Sequence, residues 1–196
     1  MSLRLVLASG SPRRKQLLEE AGLQFDVVHS SVTESATRAL TIQELTAYNA
    51  ARKARQVARA HRDAVVLGAD TLVSLDGEVI GKPANMREAF KILQRLTARE
   101  HQVCTAVFLC APARREQISF CTVSHVRFKL LNDDEIRAYL ASIDPLDKAG
   151  AYAAQEHGSE IIGRIRGSYT NVVGLPMGET LRALRHFGIK PGQVQR

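Results

Sequence analysis

Two hydrophobic rhythms alternate along the chain, and each predicts its own kind of element. Short unbroken apolar runs, the trace of a strand buried on both faces, occupy Arg4 to Ser9, Phe25 to Val28 and Ala64 to Leu75. Between them apolar residues recur at helical spacing. Leu17, Leu18 and Ala21 form one stripe, entered through Ser11 and Pro12 and closed by Gly22, residue types that favour a helix start and stop. From Thr41 to His61 a longer helix sets Ile42, Leu45, Ala50, Ala54, Val57 and Ala58 on one inner face. Asp76-Gly77 is a tight-turn signal, so Glu78 to Ile80 returns along the preceding strand as a hairpin. Asn85 starts a third helix that runs to about Leu96.

The rhythm then changes. Gln102 to Cys110 and Gln117 to Leu130 are long β-rich segments that read as neighbouring antiparallel strands. Asn132 caps a helix reaching Ile143, Ser159 to Arg166 is a late strand, and Pro176 to Phe187 is a final helix closed by Gly188. Alternation followed by a β-meander predicts an α/β fold with an elongated mixed sheet, flanking helices and a cleft. No repeat, low-complexity tract or linker interrupts it. The expected organisation is a single domain over residues 1–190 and a frayed tail over 191–196.

Composition narrows the class. With 196 residues the chain can build a full hydrophobic core, and 45% apolar against 24% charged residues excludes wholesale disorder. The formal charge of +7 suits an anionic partner or simple solubility; the cations recur singly and in pairs, as in Arg13-Arg14 and Arg52-Lys53, rather than as a polybasic arm. Cys104, Cys110 and Cys121 form no CxxC and read as reduced thiols. The apolar segment Leu3 to Ala8 is too short for a signal or a membrane span. The six histidines show no metal-ligand spacing.

Five segments carry candidate chemistry. Ser9-Gly10-Ser11-Pro12-Arg13-Arg14-Lys15 leads from a strand into a helix N-terminus, where free N–H groups, the helix dipole, two hydroxyls and up to three cations, the arginine forks above all, suit a phosphate. It is not a P-loop, and an ordinary capped helix with a basic face is the alternative. In Gly68-Ala69-Asp70-Thr71 the apolar run Ala64 to Leu67 delivers a carboxylate and a hydroxyl at its end, either a metal ligand and base or a turn residue. Lys82, in Gly81-Lys82-Pro83, is expected near Asp70 through the hairpin, as an ion pair or a phosphate neutraliser. Gln155 follows Asp147-Lys148-Ala149-Gly150-Ala151-Tyr152 and either reads a base edge or lies on the surface. Gly167 to Pro176 is an active-site wall or a plain loop. Glu34, in an irregular stretch, and Lys53, on the edge of the long helix, do not stand out unaided.

Taken together, LASGSPRR, GADT-x5-GEVIGKP, DKAGAY-x2-Q and GSYTNVVGLP resemble the Maf family of nucleotide pyrophosphatases from about Leu5 to Phe187. The resemblance implies the fold of the inosine triphosphate pyrophosphatases, with a cleft between two lobes, a cytoplasmic homodimer and no stable nucleic-acid or membrane partner. It implies hydrolysis of a nucleoside triphosphate between the α and β phosphates with a divalent cation, Mg2+ or Mn2+. Asp70 would be the proton acceptor, Lys53, Lys82 and Glu34 its catalytic companions, and Glu34 and Asp70 the metal ligands. Ser9, Ser11, Arg13, Arg14, Thr71 and Gln155 would bind substrate. Arg13, Thr71 and Gln155 match the branch acting on dTTP and UTP, with CTP and modified pyrimidine nucleotides as further candidates. Pool cleaning and arrest of cell division are the implied roles.

The chain departs from the family at Ser31-Val32-Thr33-Glu34, where an acidic run is usual, and at His157 and Ser159, where glycines are frequent. A non-catalytic regulator that binds nucleotide or nucleic acid is the rival reading. Its weakness is an aromatic content of 5% with no tryptophan, sparse material for stacking bases.

Overall fold

The computed structural model describes residues 3–37 and 39–192. The four tail residues 193–196, on which most of the expected fraying falls, lie outside the described residues. Among the described residues seven strands form one mixed sheet in the order β2-β1-β3-β5-β6-β7, with β4 paired to β3. They are β1 (Arg4–Leu7), β2 (Asp26–Val27), β3 (Ala64–Leu75), β4 (Glu78–Ile80), β5 (Glu100–Ala111), β6 (Glu116–Phe128) and β7 (Ile162–Arg166). The helices are α1 (Pro12–Glu20), α2 (Ile42–Ala58), α3 (Met86–Leu96), α4 (Asp133–Ser142), the short α5 (Gly158–Ile161) and α6 (Tyr169–Val173), and α7 (Met177–His186). The α/β class with a mixed sheet and flanking helices is as the sequence predicts.

The chain gathers into two compact units. The first holds the chain up to Asp70, Thr105–Thr122 and the segment from Gly174 on; the second holds Thr71–Cys104 and Val123–Val173.

In the first unit β1 runs parallel to both neighbours, with Leu7 opposite Val27 and Leu67. Its core is rich in alanine: Ala8, Ala50, Ala54, Ala58, Ala64 and Ala106 pack with Val6, Val57, Val66 and Phe108. Small side chains let α2 approach the sheet closely. A Cβ on Gly68 would stand 2.5 Å from the Ala50 carbonyl oxygen and 2.7 Å from the Ala54 nitrogen. Helix α2 begins at a complete capping box, Thr41 accepting from the Glu44 N–H while the Glu44 carboxylate accepts from the Thr41 N–H. Pro12 opens α1 as expected, but the Ser11 side chain makes no cap bond there.

In the second unit β3 turns into β4 through Asp76 and Gly77, both at positive φ, with Val73 opposite Ile80 and Leu75 opposite Glu78. Its core joins Val73, Ile80, Leu93, Leu96, Phe128, Ile136, Tyr139 and Tyr152. Asn85 and Asn132 cap α3 and α4.

β3 spans Ala64–Leu75 as predicted, so Asp70, expected at the end of the apolar run Ala64 to Leu67, lies inside the strand, which pairs first with β1 and then with β4. Two sequence expectations change. The late strand starts only at Ile162, since Gly158–Ile161 coil into a helical turn. The segment after Gly167 is not a plain loop, because Tyr169–Val173 is helical.

Candidate active site

The first unit assembles a basic loop and an acidic pair around one buried lysine. The loop begins where β1 stops. Ala8 N–H donates to the Leu67 carbonyl at 2.7 Å, and the chain then turns into α1. Ser9 is buried, and its hydroxyl accepts from the Ser11 N–H at 3.2 Å and from the Arg14 guanidinium at 3.1 Å. Arg14 is itself buried, with Nε donating to the Gly174 carbonyl at 2.9 Å. Burial lowers its pKa, while the charges of Asp70 and Glu34 act to raise it. An arginine held this way remains charged and keeps a fixed orientation in the wall of the site. Arg13 precedes it, half-buried.

Lys53 is the centre. Its ammonium donates to Glu34 Oε1 at 2.6 Å and to Asp70 Oδ1 at 2.7 Å. The Asp70 side chain is 3% exposed and that of Glu34 38%, so one carboxylate is inside and the other meets solvent. Two features make this possible: α2 lies close to β3 over Gly68, and β1 ends beside Leu67, so Asp70 lies just past the carboxyl end of the parallel pairing. Ligand sites in α/β sheets favour that position. Burial pushes the Asp70 carboxyl above the ordinary carboxylate value; Lys53 pulls it down and Glu34 pushes it up again.

Sequence reasoning missed Asn49. It is 1% exposed. Its amide donates to Asp70 Oδ2 at 3.2 Å and to the Ser35 carbonyl at 3.1 Å, and its oxygen accepts from the Ser35 N–H at 2.9 Å. Ser35 follows Glu34, so Asn49 fastens the irregular acidic segment to the strand that bears Asp70. The available signal was a lone amide on the apolar face of α2, one helical turn before Lys53. Arg52 adds a second tie, donating to the Thr33 carbonyl at 2.9 Å.

The donor set fits a hard divalent cation. Glu34 and Asp70 both direct an oxygen at the Lys53 ammonium, and Mg2+ is commonly held by one or two carboxylates, water and substrate phosphate. Among the described residues no group of three or more His, Cys, Asp or Glu side chains is gathered.

Thr71, Lys82 and Gln155 belong to the second unit. Thr71 is half-buried in β3, Lys82 is exposed after β4, and Gln155 is half-buried. The Lys82 segment is tied to the Asp147–Tyr152 segment by the Gly150 N–H, which donates to the Gly81 carbonyl at 3.1 Å. Gly150 has a φ of 75°, and a Cβ there would stand 3.0 Å from Val73, which explains the glycine of that motif. Lys148 is buried, donating to the Asp144 carbonyl at 2.6 Å and to Asp147 at 2.8 Å. His157, where glycine is usual, adopts a left-handed φ of 53° and bonds Glu160 at 2.6 Å.

The chain is similar to known proteins along nearly its whole length. The family model for Maf-like proteins matches residues 4–187. A dTTP/UTP pyrophosphatase of Bacillus velezensis is 43% identical over 190 residues, covering 97% of this chain and 100% of its own. One of Akkermansia muciniphila is 42% identical over 186 residues, covering 95% and 97%. The structure of the Staphylococcus aureus Ham1 protein superposes with a TM-score of 0.55 at 16% identity, over 93% of this chain and 98% of that one; at that identity it shows a shared fold alone.

Proposed function

Given that the chain belongs to the Maf family, we propose that it hydrolyses dTTP and UTP to the nucleoside monophosphate and pyrophosphate. The observation that carries this reading is the Lys53 ammonium held between Glu34 and Asp70, with the buried Arg14 of the basic loop in electrostatic reach of both carboxylates. The relatives that match almost the whole chain bear the name of this activity.

In this reading the triphosphate lies along the Ser9 to Arg14 loop, where backbone N–H groups and arginine forks meet its oxygens. Asp70 accepts a proton from water as the water oxygen bonds to the α phosphorus. The bond from that phosphorus to the α–β bridging oxygen breaks, and pyrophosphate leaves. Burial suits Asp70 to this role by raising its basicity toward the working pH. Lys53 fixes the carboxylate by one oxygen, and Arg13, Arg14 and Lys53 offset phosphate charge, a task that the family motif also gives to Lys82. Glu34 and Asp70 would hold Mg2+ or Mn2+, which when bound neutralises charge on the phosphate oxygens. Most of the rate gain comes from positioning and electrostatics.

Arg13, Thr71 and Gln155 support the choice of dTTP and UTP, with Gln155 reading the base edge. CTP and modified pyrimidine nucleotides are the wider substrate set, and clearing the pool the role. The homodimer, the cytoplasmic location and the arrest of cell division rest on the family resemblance. Among the described residues no helix is long and apolar enough to cross a membrane.

The test is pyrophosphate release from dTTP, UTP, CTP, GTP and 7-methyl-GTP, with and without Mg2+, for the parent and Asp70→Asn. The parent should prefer dTTP and UTP, and the variant should lose at least about 100-fold in turnover. Turnover near the parent's in Asp70→Asn would remove the proposed base, and a preference for 7-methyl-GTP would remove the substrate assignment.

A further inference from the structure

Helix α2 has a second chemically distinct side. Lys53 points into the site described above; Arg55 and Arg59 lie about 200–240° further round the helix, on the side turned away from it. There, within the first unit, Arg55, Arg59 and Arg62 line a cavity of about 440 Å³ together with Ala58, Cys110, Pro112 and Gln117. A volume of roughly 300–1,000 Å³ is usual for a small-molecule site.

The charge in this cavity is unbalanced. Elsewhere the chain matches surface arginines to carboxylates: Arg4 to Asp26 and Asp63, Arg95 to Glu78, Arg137 to Asp134, Arg166 to Glu100. Among the described residues, Arg55, Arg59 and Arg62 have no such ion pair, and no Asp or Glu lines the cavity. Other arginines also lack a carboxylate, but these three converge on one concavity. Like charges brought together in a concave surface repel one another, and a bound anion relieves that cost.

The cavity is also ordered. The Arg55 guanidinium carbon lies 4.8 Å from the centre of the Phe108 ring, and its Nη2 donates to Gln117 Oε1 at 3.4 Å, two contacts that hold it at this face. The Ala113 N–H donates to the Arg62 carbonyl at 3.2 Å and pins the turn after β5 against the end of α2. Arg114 and Arg115 follow on that turn, both exposed. The apolar part is contributed by Ala58, Pro112 and Cys110, which is 8% exposed.

The geometry points to a second, non-catalytic anion site here, one that takes a phosphorylated small molecule. The arginine forks bind the phosphate oxygens, and the small apolar edge at Pro112, Ala58 and Cys110 meets the part of the ligand next to the phosphate. Substrate and product of the proposed reaction both carry this chemistry, but the site stands on its own residues and does not depend on that reaction.

Calorimetric titration of the full chain at low salt with inorganic pyrophosphate, and separately with UMP, tests it. The parent should bind two equivalents of at least one of these anions. The double variant Arg59→Ala/Arg62→Ala should retain one and weaken the other at least about tenfold, with its turnover at low substrate unchanged. Both arginines are exposed, and circular dichroism confirms the fold. Asp70→Asn should keep the equivalent that the double variant loses, which separates this site from the catalytic one. One equivalent for both anions in the parent, or two undiminished in the double variant, would overturn the proposal. So would a response of the arginines only to a single-stranded oligonucleotide, which would make this face a nucleic-acid surface instead.

Discussion

Asn49 Nδ2 donates to Asp70 Oδ2 at 3.2 Å, on the carboxylate oxygen that Lys53 does not use. Both oxygens of the acid are thus oriented from one helix, at positions one turn apart. Asn49→Leu keeps the volume and removes this bond together with the pair to Ser35. Buried polar groups left without partners cost about 1–3 kcal/mol each, so unfolding by urea should show a loss of about 2–4 kcal/mol. Turnover should fall at least about tenfold because the Glu34 segment loses its anchor. Asn49→Asp is the sharper probe. A second carboxylate beside Asp70 raises the pKa of the pair, so the acid limb of the kcat/KM profile should move to higher pH. An unmoved limb would show that Asn49 does not reach the reacting acid.

Gly68 makes the approach of α2 to β3 possible, because the atoms that a Cβ would meet at 2.5 and 2.7 Å are backbone. Gly68→Ala must push the helix away, at about 1–3 kcal/mol, and Lys53 moves with it. Thermal melting should drop, and turnover should drop further than the loss of folded protein explains. Gly178→Ala is the contrast. Nothing lies within 4 Å of a Cβ in that helix, so that change should be neutral or stabilising by up to about 1 kcal/mol. Equal effects of the two substitutions would show that helix proximity is not what Gly68 provides.

Much of this was legible in the chain. The unbroken apolar run around Val66 and the spacing of Leu45, Ala50, Ala54 and Val57 are local patterns, and they foretold β3 and α2. The motifs foretold which side chains matter. What escaped was whatever depends on a distant partner. Asp70 was placed at the end of the apolar run Ala64 to Leu67, but the strand runs on to Leu75, and what Gly68 does depends on α2, whose backbone crosses where a side chain would stand. Ser159 to Ile161 was read as the start of the late strand, but past the left-handed His157 the chain coils into a helical turn. Asn49 was invisible because nothing in its neighbours announces a bond to Ser35, fourteen residues back. Glu34 had no local signal either, and only the family motif pointed to it.

Lys53 shields two carboxylates from one another, so its removal should be felt in stability as well as rate. Lys53→Met keeps the length and leaves Asp70 buried without its ammonium. Breaking a buried pair costs about 3–5 kcal/mol, an upper bound here because Glu34 is partly exposed. Asp70 responds by holding its proton to higher pH, since burial already favours the neutral acid. The variant should therefore be inactive near neutrality and regain folding stability on mild acidification. The paired variant Lys53→Met/Asp70→Asn should recover part of the lost stability at neutral pH and none of the turnover. A double variant as unstable as Lys53→Met alone would mean that the cost lies in lost packing rather than in stranded charge.

His101 sets a pH limit on the second unit. It is 2% exposed, edge-on to Phe128 and Tyr152, with Nε2 at 2.8 Å from the Tyr152 hydroxyl. Among the described residues Nδ1 has no hydrogen-bond partner. Burial lowers its pKa from 6.5 to about 4. Burial also raises that of Tyr152, the one titratable group bonded to it, so the phenol stays neutral. The unfolded chain therefore binds a proton near pH 6.5 that the folded chain refuses until about pH 4. The stabilisation is complete above pH 6.5 and is lost as the pH falls through that window, by roughly 3 kcal/mol in all. His101→Gln retains an amide that can bond the tyrosine and has nothing to protonate. Urea unfolding of parent and variant at pH 7, 5.5 and 4.5 should show their difference shrinking or reversing in favour of the variant as acid is added. The carboxylates that titrate over the same range are common to both proteins and cancel. A difference that stays constant across the three pH values would mean that His101 takes up its proton in the folded state as readily as in the unfolded one.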